Sequence, residues 1–255
     1  MNKVSDRDYV NSLARGLEVI RVFTRHKPKM TLSDVAHTTG MTRATVRRFL
    51  LTLVREGYVE TDNKLFWLRA KTLELGFSVL SSMNLLDAAQ PIMDELTEKM
   101  KESCYTAVLD KDSVIYIARA SSNRVIDVGI HVGSRAPAHC VSTGRVLLSA
   151  LPDDQIHEYL ENTQLEKLTE HTVTSKVELR SLIEETRRQG WSIVDQELEL
   201  GLMSISVPIR TKSGEIIAAL NLCGPTSRTT LEELRTRFLG ELLEASQKIT
   251  LSLTA

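Results

Sequence analysis

Residues Thr31–Leu53 read TLSDVAHTTGMTRATVRRFLLTL, a stretch that predicts two short helices joined by a glycine turn. Thr31, with Asp34 three residues on, matches a helix N-cap, and Thr42 offers a second cap. Gly40 lies between the helices, where a tight turn needs a residue without a Cβ. The apolar residues of the second helix recur at helical spacing: Val46, Phe49, Leu50, Leu53 and Val54. The stretch therefore predicts a helix-turn-helix.

The outer face of the second helix carries side chains that can contact phosphates and base edges. These residues are Thr42, Arg43, Thr45, Arg47, Arg48 and Thr52. Lys64, in a predicted turn further along the chain, is added to them. The alternative interpretation is a charged, solvated helix in an ordinary bundle. As a set at helix-turn-helix spacing, the residues favour binding to a double-stranded DNA operator.

Both flanks extend this unit. Tyr58–Leu68 reads as two β runs joined by Asp62, Asn63 and Lys64, which predicts a hairpin and hence a winged helix-turn-helix. Upstream, helical spacing predicts a third helix that covers the other two, with Leu13, Leu17, Ile20 and Phe23 on its inner face. We expect the DNA-binding domain to span residues 1–69.

The net charge of the chain changes sign at the predicted end of the DNA-binding domain, residue 69. Residues 1–69 hold 13 Lys and Arg against 7 Asp and Glu, a net charge of +6, while residues 70–255 hold 19 against 26, a net charge of −7. A basic module attracts DNA through counterion release, and an acidic remainder is repelled by it. The total net charge of −1 is therefore the sum of a basic part that we expect to bind DNA and an acidic part with a different function.

Composition narrows the class of protein. The 255 residues, 42% hydrophobic and 25% charged, are typical of one large or two modest globular domains. No apolar run approaches the roughly 20 residues that span a bilayer, and the N-terminus lacks the apolar core of a signal peptide. We expect a cytoplasmic protein with no membrane partner.

The three cysteines, Cys104, Cys140 and Cys223, lack paired short spacing. This predicts buried thiols rather than a disulfide framework or a zinc site.

Between the domains, residues 70–84 predict a linker helix with two apolar sides. Leu73, Phe77 and Leu80 lie on one side, and Leu75 and Val79 on another. A helix that is apolar on two sides needs two partners, so we expect it to pair with a second copy of the chain. This predicts a homodimer or a dimer of dimers. The alternative is a helix packed wholly within its own chain.

Residues 85–255 predict an α+β domain with an antiparallel sheet, because strand-like runs alternate with helical ones. The predicted strands are Cys104–Leu109, Val114–Ala120, Val125–Val132, Trp191–Gln196, Ser204–Arg210 and Ile216–Leu222. The predicted helices are Leu86–Glu102, with a kink or junction at Pro91, one from Ser175 to Gly190, and a final one capped by Thr229 with Glu232.

Polar groups gather where a loop enters a helix near Cys140. Arg135, His139, Ser142 and Thr143, with the free N–H groups of the helix start, suggest an anion cradle for a carboxylate. The alternative is that Ser142 and Thr143 only cap the helix.

Enzymatic and metal-binding interpretations are weak. His139 and Cys140 are neighbours that point in different directions on a helix, so they do not predict a catalytic pair. Asp195, Glu197 and Glu199 alternate on one strand face without a further ligand, which favours a solvated strand edge or a loop over a pocket. No P-loop, dinucleotide fingerprint or nucleophile elbow is present in the sequence, so we predict no catalytic residue, no metal and no cofactor.

Three stretches resemble the IclR family of bacterial transcription regulators. They are SLARGLEVI at Ser12–Ile20, the helix-turn-helix at Thr31–Leu53, and GWSIVDQELELGLMSISVPI at Gly190–Ile209. Within that family, HVGSRAPAHCVSTGRVLL at His131–Leu148 and DQELELGL at Asp195–Leu202 most resemble the branch that controls aromatic-acid breakdown through the β-ketoadipate pathway.

The resemblance implies a GAF-like effector domain, dimers or tetramers, and a small organic acid bound where the strand-to-helix loop meets the later strands. It extends the candidate ligand-binding residues to Arg135, His139, Ser142, Thr143, Met203, Ser204 and Asn221, with Leu202, Ile205 and Leu220 as further candidates for an apolar wall. Arg15, in the first helix, is a candidate for coupling ligand to DNA; its alternatives are a phosphate contact or a surface salt bridge.

The expected function is a ligand-responsive activator of aromatic-acid catabolic genes, with protocatechuate or 4-hydroxybenzoate as effector and RNA polymerase as a further partner. Three alternatives stay open: a regulator of the same family that senses an aliphatic acid, an enzyme with an autoregulatory DNA-binding module, and a multimerising DNA-binding protein without a ligand.

Overall fold

The computed structural model describes residues 5, 7–24, 26–76, 85–122 and 129–253, and the chain divides into two compact units, Met1–Val79 and Leu80–Ala255. The division falls within the predicted linker, of which Ala70–Leu73 forms a 3-10 helix and residues 74–76 are helical. The rest of the predicted dimerisation helix lies outside the described residues. Over the described ranges, every helix is too short or too polar to cross a membrane.

The first unit is a winged helix-turn-helix, as predicted. Its elements are α1 (Asn11–Arg21), β1 (Lys29–Thr31), α2 (Leu32–Thr39), α3 (Arg43–Arg55), β2 (Val59–Thr61) and β3 (Leu65–Leu68). Thr31 and Asp34 form a reciprocal capping box at the start of α2, and Gly40 ends that helix at φ 65°. The Thr42 hydroxyl accepts from the Thr45 amide, so α3 begins at the predicted cap.

The wing is a three-stranded antiparallel sheet in the order β1-β3-β2. At the predicted turn, the Asp62 carboxylate accepts hydrogen bonds from the amides of Lys64 and Leu65, and Asn63 is left-handed at φ 73°. β1 was not predicted, because three residues are too few to show a periodic pattern.

The predicted inner face of α1 is wrong for Leu13 and Leu17. Their side chains are 63% and 41% exposed, whereas Val19 is fully buried. The face of α1 near α3 includes Gly16, where an added Cβ would lie 3.8 Å from the Phe49 ring. The two residues therefore leave an apolar strip of α1 in solvent.

The second unit is built on a six-stranded antiparallel sheet in the order β6-β5-β4-β9-β8-β7. Its strands are β4 (Ser103–Asp110), β5 (Ser113–Ala120), β6 (Arg135–Pro137), β7 (Ser192–Asp195), β8 (Leu202–Arg210) and β9 (Ile216–Pro225). Its helices are α4 (Leu85–Met100), α5 (Ser142–Ser149), α6 (Asp153–Asn162), α7 (Lys176–Gln189), α8 (Leu231–Glu233) and α9 (Leu239–Ser252), with a π-helical segment, Leu234–Phe238, between the last two.

Helices cover both faces of this sheet. On one face, which we call the α4/α9 face, residues such as Met93, Leu220 and Leu242 form a core. On the other, the α5/α7 face, a second core includes Tyr105 and Val146. The predicted α+β class is confirmed.

Several boundaries differ from the predictions. Residues 129–132 of the predicted strand Val125–Val132 form no strand, residues 123–128 lie outside the described residues, and β6 begins only at Arg135. α4 continues through Pro91, so of the two predicted outcomes, a kink or a junction of two helices, the junction is wrong. α8, which begins the final helical region, is capped by Thr230 with Glu233. These lie one residue after the predicted pair, Thr229 and Glu232. α6, which begins after Pro152, was not predicted.

Candidate functional site

The DNA-facing candidates lie on the surface of the first unit. Arg43, Arg47 and Arg48 are exposed along α3, and Lys64 is exposed in the turn of the wing. The three threonines of the predicted set have local partners: Thr42 and Thr45 hydroxyls lie 2.9 Å apart, and the Thr52 hydroxyl donates to the Arg48 carbonyl at 2.8 Å. The cationic side chains are therefore the groups that α3 and the wing offer to a phosphate or a base.

In the second unit, a single row of side chains crosses the sheet on its α5/α7 face. Four residues are direct cross-strand neighbours: Arg119 on β5, Tyr105 on β4, Asn221 on β9 and Ser206 on β8. Directly opposite residues of an antiparallel sheet point to the same face, so these four side chains lie side by side. We call them the transverse row.

The start of α5 closes over one end of the transverse row. The Ser142 hydroxyl lies 2.8 Å from the Ser204 hydroxyl and 2.7 Å from that of Ser206. α5 has no side-chain cap, which overturns the alternative that Ser142 and Thr143 serve as caps. Thr143 is also fully buried, and its hydroxyl has no hydrogen-bond partner among the described residues.

A guanidinium marks the other end of the row. Arg119 donates to His131 Nδ1 at 2.7 Å and to the Ser121 hydroxyl at 2.9 Å, and lies 5.8 Å from the Tyr105 ring centre. Because a guanidinium only donates, His131 accepts at Nδ1 and carries its proton at Nε2. The Tyr105 and Tyr116 rings pack edge to face at 5.7 Å. The row therefore runs from a cationic end, past aromatic rings, to a neutral amide and hydroxyl end.

Two predicted ligand residues do not join this row. Arg135 is the cross-strand partner of Ile115, which packs into the α4/α9 core, and its half-exposed guanidinium pairs with Asp110 at 2.6 Å. Met203 also packs into that core, because it alternates with Ser204 along β8. The predicted cradle is therefore wrong for Arg135, and the predicted ligand contact is wrong for Met203. Leu202 packs on the α5/α7 side instead, and Ile205 and Leu220 do not.

His139 is buried behind the start of α5. Its Nε2 lies 3.0 Å from the Glu166 carbonyl oxygen and must therefore carry the proton, while Nδ1 has no hydrogen-bond partner among the described residues. Burial lowers the pKa of His139, against the opposing effect of the Glu166 carbonyl. Burial also raises the pKa of the neighbouring Cys140 to about 12. A thiol that stays protonated at neutral pH is a poor nucleophile, which argues against a catalytic pair here.

Glu197 is neither solvated nor placed for a metal. It is buried, and both of its carboxylate oxygens accept from Arg145 at 2.7 Å. The prediction of a solvated edge is wrong for this residue, whose ion pair ties α5 to the segment after β7. Within the part of the chain that the structure describes, no cluster of His, Cys, Asp or Glu could hold a metal ion. The three cysteines are buried, as predicted.

Sequence reasoning missed Arg119, Tyr105 and Ser206. Each lies within a strand that the pattern predicts, but strand patterns carry no information on which residues become neighbours. The alternation of Ser204 and Ser206 along β8 was the one available signal, because two small hydroxyls two residues apart share a sheet face.

Arg15 belongs to the first unit, where it is exposed on α1. Its predicted part in coupling stays a prediction.

Family models match both units: the IclR helix-turn-helix domain over residues 12–63, and the C-terminal domain of bacterial transcriptional regulators of the IclR type over residues 77–251. The Pca regulon regulatory protein of Pseudomonas putida is 43% identical over 96% of this chain and 84% of its own length. The p-hydroxybenzoate hydroxylase transcriptional activator of Acinetobacter baylyi is 33% identical over 97% and 93%.

Among solved structures, an IclR homolog from Microbacterium hydrocarbonoxydans, complexed with 4-hydroxybenzoate, has a TM-score of 0.83 at 26% identity and covers 94% of this chain and 98% of its own. These proteins are described as transcription regulators or homologs of one, which supports the prediction that the chain is not an enzyme. The helix-turn-helix with its wing, the sheet with helices on both faces, and both family models agree that this chain belongs to the IclR family of bacterial transcriptional regulators.

Proposed function

We propose that this protein regulates aromatic-acid catabolic genes, binding its operator through α3 and the wing and a small aromatic acid at the transverse row. The observation that carries the proposal is the row itself, in which a guanidinium, an aromatic ring, an amide and a hydroxyl lie side by side on one sheet face, with the Tyr116 ring packed against that of Tyr105. A carboxylate is best bound by a guanidinium, and an aromatic ring by an apolar wall. Relatives named for the Pca regulon and for p-hydroxybenzoate hydroxylase support this class of effector.

Within this proposal, Arg119 binds the carboxylate and the Tyr105 ring packs against the aromatic ring. Ser142, Ser204, Ser206 and Asn221 form the polar end of the site. His139 and Thr143, which are fully buried beside the start of α5, support that helix and do not contact the acid.

On the DNA side, Arg43, Arg47 and Arg48 contact the major groove and Lys64 contacts a flanking phosphate. The local hydrogen bonds of Thr42, Thr45 and Thr52 stabilise α3. Two copies of the chain would read two half-sites, with the linker at residues 70–84 as the pairing element. We further propose that the bound acid favours one arrangement of the two DNA-binding domains, which activates transcription through contact with RNA polymerase.

Two arginine variants test the effector site. Arg119→Gln removes the proposed carboxylate ligand, whereas Arg135→Gln removes an exposed guanidinium on the opposite face of the same sheet. A ligand that binds only the folded state raises the melting temperature. We expect 4-hydroxybenzoate or protocatechuate to raise the melting temperature of the wild type and of Arg135→Gln, and to leave that of Arg119→Gln unchanged.

A shift that survives in Arg119→Gln and disappears in Arg135→Gln would restore the cradle predicted from sequence. A shift with an aliphatic acid such as glyoxylate, and with no aromatic acid, would keep the family and overturn the effector class. The absence of any shift would favour a ligand-free DNA-binding protein.

A further inference from the structure

We propose that Asn221 accepts a hydrogen bond from a ring hydroxyl of the effector, so that a hydroxyl para to the carboxylate decides which aromatic acids bind tightly. This rests on the proposed function and adds to it the direction in which the ligand lies along the transverse row. The carboxylate is at the Arg119 end, and the hydroxyl is at the opposite end.

The first observation is an unsatisfied acceptor. Asn221 is 4% exposed, and over the described ranges its Oδ1 has no hydrogen-bond partner. A buried amide oxygen without a donor is destabilising, so such groups are nearly always paired in folded proteins. A donor supplied by a ligand would remove this cost, and an apolar substituent at the same place would leave it.

The second observation is that the neighbouring hydroxyls already have partners. The Ser142 hydroxyl donates to Ser204 at 2.8 Å and, having only one hydrogen, accepts from Ser206 at 2.7 Å, so each of the three hydroxyls has a partner. Asn221 is the direct cross-strand neighbour of Ser206 and faces the same side of the sheet. Of the side chains of the row at this end, Asn221 is therefore the one whose oxygen has no hydrogen-bond partner at all among the described residues.

Charge sets the direction of the ligand. A carboxylate placed against an amide oxygen would set two acceptors against each other, whereas a guanidinium offers up to five N–H donors. Arg119 and Asn221 lie two strands apart across Tyr105, a Cα separation of about 10 Å at the usual strand spacing. Both side chains project to the same face, so a ligand that contacts both ends lies along the line that joins them. A para hydroxyl lies on the line from one end to the other, and a meta hydroxyl lies off it.

The test pairs ligands of matched shape with matched variants. Calorimetry on the full-length protein compares 4-hydroxybenzoate with 4-methylbenzoate, which has nearly the same shape without a donor, and with 3-hydroxybenzoate. The variant is Asn221→Leu, which keeps the volume and removes the acceptor. Its control is Cys223→Ala, which changes the same strand and the same sheet face two residues on.

We expect the wild type and Cys223→Ala to bind 4-hydroxybenzoate at least about tenfold more tightly than either comparison acid. In Asn221→Leu the preference over 4-methylbenzoate should fall to within about threefold, mainly through weaker binding of the hydroxylated acid. If Asn221→Leu does not fold, Asn221→Ala allows the same comparison.

Equal affinity of the wild type for the hydroxylated and methylated acids would overturn the inference and leave the proposed function standing. An equal loss of both acids in Asn221→Leu would do the same. If no aromatic acid binds to the wild type, the proposed function fails and this inference fails with it.

Discussion

At the residue scale, Gly144 sets how closely the chain approaches itself beside the transverse row. A Cβ at this position would lie 2.1 Å from the Ala138 carbonyl oxygen. The 3-10 turn that carries His139 and the helix that carries Ser142 therefore pack together without room for one more methyl group.

Replacing Gly144 with alanine should destabilise the protein by about 1–3 kcal/mol, because a backbone atom must move to admit the methyl group. Urea unfolding measures the change. Gly240→Ala is the matched control, since Gly240 lies in α9 with nothing within 4 Å of an added Cβ. That variant should be neutral or slightly more stable, as alanine favours a helix over glycine by about 1 kcal/mol. Equal stability of the two variants would contradict the close contact.

A second residue-scale prediction concerns acid stability. Burial keeps the pKa of His139 below the 6.5 of an ordinary histidine, so the folded state favours the neutral ring. A group of this kind contributes its full stability above about pH 6.5 and loses it as the pH falls toward the lower folded pKa. The slope is at most about 1.4 kcal/mol per pH unit for one proton.

We therefore expect His139→Gln to lose less stability than the wild type between pH 7 and pH 5, whatever its stability at pH 7. Thermal unfolding across this range provides the measurement. His157→Gln, a change at an exposed histidine of α6, should keep the wild-type dependence. A wild-type slope in His139→Gln would show that another group governs acid unfolding.

At the element scale, the candidate DNA-binding side chains of α3 and the candidate effector-binding side chains of the sheet are brought together in different ways. The arginines of α3 share a surface because they lie close in sequence on one helix. The transverse row draws one residue from each of four strands, and only hydrogen-bonded register makes them neighbours. A change in α3 should therefore act on DNA binding alone.

Arg47→Ala tests this separation. Loss of the guanidinium should weaken operator binding by about 1–3 kcal/mol if it contacts a base, or reduce the salt dependence by about one counterion if it contacts a phosphate. Affinity for 4-hydroxybenzoate should not change. Fluorescence anisotropy with operator DNA at several salt concentrations distinguishes these cases. Arg180→Ala removes an exposed cation from α7 in the other unit and should leave DNA binding intact.

At the scale of the whole molecule, the opposite charges of the two units allow one chain to bind two very different ligands. The basic first unit attracts DNA, and the acidic second unit is repelled from it. Regulation then requires that the binding of one ligand change the affinity for the other.

This coupling must be reciprocal. If 4-hydroxybenzoate changes operator affinity by some factor, operator DNA must change the affinity for 4-hydroxybenzoate by the same factor, about 5- to 150-fold for typical couplings. Anisotropy with and without the acid, and calorimetry with and without DNA, measure the two factors. In Arg119→Gln the acid should no longer affect operator binding. Unequal factors would indicate a further equilibrium, and factors of one would show that the two sites act independently.

Features that depend on residues close together in the chain could be predicted from the amino-acid sequence. Thr31 with Asp34, Gly40, and the Asp62 turn act over three or four residues, so the helix-turn-helix and its wing could be predicted with their caps. The hairpins of the second unit followed from apolar runs separated by polar turns. The family followed from longer stretches of the same chain.

The contacts between side chains of different strands could be read only from the folded sheet. Arg119 and Ser206 are distant in the chain, and they belong to one row because β4 and β9 align between them. Arg135 was placed in the same cradle as Ser142 by sequence reasoning, and Met203 in the same ligand site, but both lie on the opposite sheet face. A one-residue change in register or phase reverses the face of a strand residue, and that register comes from packing across the whole sheet rather than from any local pattern.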